Sequence, residues 1–149
     1  MPTTRVRRTL APPPGKVWTV VGDAHQLPRW WPRAVRVERV GPKGFTLVLR
    51  SEQGREVRAD QRVIASSRPR RRAWALEVPG TPFEKVFTSN EVEVTLDPAE
   101  GDGTLVTIEQ RQRLRGAAKM GAFLVRGSAR KQLRAAMDGL EAALGASAQ

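Results

Sequence analysis

Apolar and polar residues alternate from Arg5 to Leu10, the two-residue period of a strand, until the prolines Pro12 to Pro14 stop it. Pro14 is suited to the first turn of a helix, and Val17, Trp18 and Val21 then share a face before Gly22 ends it. Asp23 follows as a cap, and a second short helical piece is predicted over Leu27 to Trp31, with Pro28 near its start and Pro32 limiting its end. Strand patterns then succeed one another over Ala34 to Val40, Phe45 to Arg50, Glu56 to Ser66, Arg72 to Val78, Phe83 to Leu96 and Thr104 to Leu114. Glycine and proline punctuate them. At Gly116 the period changes: Met120, Phe123 and Leu124, then Leu133, Met137, Leu140 and Leu144 return at helical spacing, which predicts one amphipathic helix from Gly116 to Leu144. Gly121 and Gly127 each lower helix propensity by about 1 kcal/mol relative to alanine, so the first half of that helix is the half prone to bend.

The breaks between strands are too short for crossover helices, so the strands must pair antiparallel. The long helix is the only element available to cover the inner face of the sheet. A helix roughly 10 to 12 Å wide cannot fill a strongly curved sheet, and a cavity is expected between them. The fold class is therefore α+β: a seven-stranded curved antiparallel sheet around a long C-terminal helix, with two short helices after the first strand.

Residues two apart on a strand share a face, which nominates the positions that meet the cavity. Phe45, Leu47 and Leu49 form one row; Val57, Ala59, Gln61, Val63 and Ala65 form the next; Val106, Ile108, Gln110, Gln112 and Leu114 form a third. Gln61, Gln110 and Gln112 interrupt otherwise apolar rows, and a buried amide is satisfied either within the protein or by a ligand. Trp74 shares a face with Leu76 and Val78, and Phe83 and Phe87 follow on the next strand, as core or as pocket lining. Trp30 and Trp31 are adjacent, so a regular backbone cannot aim both at one spot. One is expected in the core and the other at the cavity mouth, while Trp18 belongs to the core. Met120, Phe123 and Leu124 are expected as the opposite wall.

A length of 149 residues suits one domain over residues 1–149, with Gly145 to Gln149 as a frayed tail. The absence of cysteine excludes disulfides and thiolate metal sites, and a single histidine, His25, excludes a histidine cluster; no metal or cofactor is expected. No stretch approaches the roughly 20 apolar residues that span a bilayer, and the first residues lack the apolar centre of a signal peptide, so a cytoplasmic location is expected. The formal charge of +11 raises the case for an anionic partner, whether nucleic acid, an acidic lipid surface or a carboxylated ligand. Yet Arg58 and Arg62, like Arg111 and Arg113, lie opposite the apolar rows of their strands, with Glu56, Asp60 and Glu109 available as exterior ion-pair partners. The dense run Arg68 to Arg72 supports an anion-binding surface. Tyrosine is absent and the basic positions are not interleaved with aromatics, so any nucleic-acid binding should be nonspecific.

Chemistry has few candidates. His25 is the only histidine, the residue type suited to proton transfer near neutrality, but it stands in D-A-H-Q with no nucleophile or second histidine beside it, and an exposed structural role is expected. Glu91 and Glu93 share a strand face and read as a solvated surface rather than an acid–base couple.

The segment APPPGKVWTVVGDAHQLPRWWP, with Ala11, Pro12, Val17, Trp18, Asp23, Leu27, Pro28 and Trp30 in place, resembles the START-like (SRPBCC) superfamily, in particular its polyketide cyclase/dehydrase and lipid-transport branch. The resemblance extends over nearly the whole chain. It implies a helix-grip fold with a pocket between the sheet and the last helix. Its functions differ among members, so three readings stay open. The first is binding or carriage of a hydrophobic small molecule, polyketide-like, aromatic or acyl. The second is a polyketide cyclase, aromatase or dehydratase in which His25 or an inward glutamine assists proton transfer. The third is a basic surface that binds nucleic acid or protein. The shortage of titratable residues in the expected pocket favours the first. Oligomeric state is left open.

Overall fold

A computed structural model describes residues 3–115 and 122–147, with the side chains of 82, 122–127 and 146–147 left out. The strands are β1 (Thr3–Leu10), β2 (Ala34–Glu38), β3 (Gly44–Arg50), β4 (Glu56–Ser67), β5 (Arg71–Leu76), β6 (Phe87–Pro98) and β7 (Thr104–Leu114). The helices are α1 (Pro14–Val21), α2 (Leu27–Trp30) and α3 (Ala122–Ser147), and a 3-10 turn, Ala24–Gln26, links the first two. All seven strands form one antiparallel sheet in the order β1-β7-β6-β5-β4-β3-β2. After β1 the chain crosses to the far edge through α1 and α2, then returns strand by strand until β7 lies against β1. This is the START-like helix-grip arrangement.

Local chemistry explains the short helices. Pro14 sits in the first turn of α1, where no intrahelical N–H is lost. Gly22 follows with right-handed backbone angles, so its role is space: a Cβ there would lie 2.4 Å from the Trp18 indole. Asp23 Oδ1 then accepts the His25 N–H at 3.0 Å and starts the 3-10 turn. Along α3, Leu133, Ala136, Met137, Leu140, Ala143 and Leu144 are buried, and the helix contacts β1, β7, α1 and α2. Gly139 allows a close crossing, because a Cβ there would stand 2.4 Å from the Trp30 carbonyl oxygen.

Several boundaries differ from the sequence reading. β6 begins at Phe87 rather than Phe83, because Pro82–Lys85 winds into a 3-10 turn with proline in its first turn. β5 ends at Leu76, short of Val78. In β4 a bulge between Val63 and Ala65 changes the phase of the strand. Ala65 consequently pairs with Ala73 on the outer face instead of continuing the inner row. The predicted frayed tail is still helical through Ser147, and the predicted helix residues 116–121 lie outside the described residues.

The outer face carries a lattice of ion pairs. Arg111 reaches Glu91, Glu93 and Glu109 at 3.4 to 3.6 Å, and Arg71 also bonds Glu93. Arg58 meets Glu38, Arg36 meets Glu38 and Glu56, and Arg62 meets Glu77. Glu91 and Glu93 thus serve exterior pairing. Burial alone would raise the Glu93 carboxyl, but Arg71 and Arg111 outweigh it and hold the group below its usual value. Arg72 departs from the expected exterior run: it pairs with Val94 in register, on the inner face, and bonds Ser66 Oγ at 3.0 Å. Burial pulls its guanidinium below the ordinary value, with the charge of Asp23 opposing.

Candidate functional site

The inner rows of the sheet change character along their length. On β7, Val106 and Ile108 are wholly buried, and the same row continues as Gln110 and Gln112. On β6, Leu96 and Val94 are followed by Val92 and Asn90. Where these rows turn polar, the sheet and α3 border an open-sided cavity of about 370 Å³. Leu47 and Leu49 from β3, Ala59 and Gln61 from β4, and Trp74 and Leu76 from β5 form one side. Phe83, Phe87, Asn90, Val92, Gln110 and Gln112 continue the wall, Trp31 stands at one side, and Ser128, Ala129 and Gln132 of α3 complete it. No Asp, Glu, Lys, Arg or His lines the cavity among the described residues.

The amide groups are unevenly satisfied. Gln110, only 4% exposed, donates from Nε2 to Asn90 Oδ1 at 3.1 Å. Its Oε1 is buried without a partner among the described residues. Trp30 Nε1 is a second such atom, but it lies in the core.

Four aromatic rings gather beside the cavity. Trp74 meets Trp31 at 5.7 Å between ring centroids, Trp30 at 6.5 Å and Phe45 at 6.2 Å, all edge to face. Trp30 and Trp31 therefore do converge on one ring, contrary to the regular-backbone argument. The two indoles pack edge to face at 5.6 Å and both meet Trp74, and the extended ψ of Trp31, near 130°, then leads the chain out of the helix toward β2. Trp31 lines the cavity, whereas Trp30 packs behind it under Gly139.

Of the residues nominated from sequence, Trp31, Leu47, Ala59, Gln61, Trp74, Phe83, Gln110 and Gln112 meet at the cavity. Trp30, Phe45 and Val63 do not. Phe45 is held in the core by its contact with Trp74, and Val63, beside the β4 bulge, packs against that core. Met120, Phe123 and Leu124 lie outside the described side chains. Asn90, Val92, Ser128, Ala129 and Gln132 were missed. Counting by twos back from Val94 and Val92 finds Asn90, and counting a helical turn back from Leu133 and Ala136 finds Ala129 and Gln132.

His25 lies on the 3-10 turn, away from the cavity lining, with its side chain 65% exposed and Nδ1 3.0 Å from Asp23 Oδ1. Slight burial would raise the Asp23 carboxyl, but the His25 backbone and ring bonds together bring it below its usual value. No group of three metal-ligating side chains occurs among the described residues, and no described helix is long and apolar enough to cross a membrane.

The family model described as polyketide cyclase / dehydrase and lipid transport matches residues 1–145. A conserved protein from Geobacillus kaustophilus superposes with a TM-score of 0.80 at 16% identity, covering 98% of this chain and 97% of the other. A protein from Thermus thermophilus gives 0.78 at 21% identity, covering 99% of this chain and all of the other. A START superfamily protein from Mycobacterium smegmatis gives 0.76 at 16%, covering 96% and 97%. At such identities the likeness is one of fold. No curated protein matches the sequence.

Proposed function

Because the chain belongs to the polyketide cyclase/dehydrase and lipid-transport family, with a START-like fold, we propose that it binds and carries a hydrophobic small molecule between the sheet and α3 without transforming it. The observation that carries this reading is the lining: mostly apolar walls, a few neutral amides, and no charged or titratable side chain among the described residues. Apolar surface contributes roughly 25 cal/mol per Å² removed from water, so a ligand enclosed here gains most of its affinity without specific bonds. Trp31 and Trp74 offer broad faces and edges to a ring or chain. Proton transfer by a cyclase or dehydratase needs a group within bonding reach of the substrate. His25 lies off the cavity and is tied to Asp23, which favours carriage over catalysis.

Ala59 tests the reading, since it lies against the cavity and is 2% exposed. In Ala59→Trp the indole should occupy the cavity and weaken the neutral fluorescent probe N-phenyl-1-naphthylamine by at least about tenfold, or 1.4 kcal/mol. The urea midpoint should stay near that of the parent. A parent that binds no probe, together with a variant destabilised by about 1 to 3 kcal/mol as in an overpacked core, defeats the proposal.

A further inference from the structure

We infer that the cavity is built for an uncharged ligand that donates a hydrogen bond to Gln110, and that it rejects carboxylate anions despite the chain's excess of positive charge. The inference rests on the carrier reading and narrows its ligand class. It begins with the arginines. On the outer face Arg36, Arg58, Arg62, Arg71 and Arg111 are engaged with glutamates, and Arg7 and Arg113 share that face, turned from the cavity. Arg8 and Arg72 are on the inner face, but neither borders the cavity. Arg8 is held by Asp138 at 2.8 Å and Glu141 at 3.4 Å on α3. Arg72 reaches Ser66 and feels the charge of Asp23. A carboxylate entering the cavity would lose its water and meet no cation among the described residues, a heavily unfavourable exchange.

The polar groups that do border the cavity are the amides of Gln61, Asn90, Gln110, Gln112 and Gln132, with the Ser128 hydroxyl. Gln110 sets the polarity of the contact. Its Nε2 is committed to Asn90 Oδ1, and its buried Oε1 has no partner among the described residues. A buried acceptor left unpaired is costly, and only a donor relieves it. A hydroxyl or N–H on the ligand fits. An ionised carboxyl, which offers acceptors only, sets like partial charges against each other. The amides of Gln61, Gln112 and Gln132 can both donate and accept. The Trp31 and Trp74 edges favour a flat ring next to that donor. The ligand class is therefore a neutral aromatic compound bearing hydroxyl or N–H.

Isothermal titration of the full chain at pH 7 with 2-naphthol, 2-methoxynaphthalene and 2-naphthoate separates the possibilities, because the rings match and only donor and charge differ. 2-Naphthol should bind at least about tenfold tighter than 2-methoxynaphthalene, with 2-naphthoate weakest. Gln110→Met, similar in length and without hydrogen bonds, should erase the preference for 2-naphthol over 2-methoxynaphthalene. Equal binding of the two neutral probes, or tightest binding of 2-naphthoate, overturns the inference and leaves the carrier reading intact. Failure of all three to bind overturns both. The comparison of probes on the parent protein decides the matter even if Gln110→Met does not fold.

Discussion

The two ends of the space beneath α3 differ though one helix roofs both. Toward the C-terminus, Leu133, Met137, Leu140 and Leu144 are buried against the inner sheet and the short helices, and Gly139 draws α3 onto the Trp30 backbone. Toward the N-terminus the same helical face presents Ser128, Ala129 and Gln132, and a cavity lies below. The sheet changes in step, from Val106, Ile108 and Val94 to Gln110, Gln112 and Asn90. Periodicity thus decides which face turns inward, and side-chain volume and polarity decide whether that face becomes a core or a cavity.

The contrast breaks most readily at its packed end. Leu140→Ala should cost about 2 to 5 kcal/mol, because the methyl groups removed leave a hole that surrounding atoms refill only partly. Gln132→Ala, at the other end, should stay within about 0.5 kcal/mol of the parent. Equal losses in urea unfolding would erase the distinction. Gly139→Ala sharpens it at the crossing: the gain of about 1 kcal/mol in helix propensity should be outweighed by forcing α3 from the Trp30 carbonyl, for a net loss of stability. An unchanged or higher midpoint would show that the helices separate freely. The smallest effect is expected at Glu93, on the outer face between Val92 of the cavity wall and Val94 of the core. Its carboxyl lies below the ordinary 4.5 in the folded chain, so its contribution is complete above that value and is lost as pH falls through the lower folded value. Glu93→Gln should flatten the stability profile in that acid range and leave probe affinity near pH 7 unchanged. A profile that keeps its parent slope would remove Glu93 from the account.

Much of this was legible in the residues. The succession of strands along the chain, antiparallel pairing and the covering helix follow from period and break length, and the inward glutamines stood out because amides interrupted apolar rows. Other features depended on contacts between distant segments. The β4 bulge leaves no mark in the local pattern, and it moved Ala65 to the outer face. The convergence of Trp30 and Trp31 depends on Trp74, a third ring from a remote strand that both indoles meet edge to face. Arg72 looked like part of a surface run, but counting by twos back from Trp74 places it on the inner side, opposite Val94, a signal the charge of its neighbours obscured. Gly22 stood out only as the end of a helix, whereas its reason is the indole lying over it.

The cavity of about 370 Å³ also sets a scale for cargo, because it falls near the small end of the range of roughly 300 to 1,000 Å³ common to ligand pockets. On the carrier reading, a compact ring system suits a space of this order. A long acyl chain would have to leave part of its length outside the protein, so chain length beyond the cavity should add little to affinity.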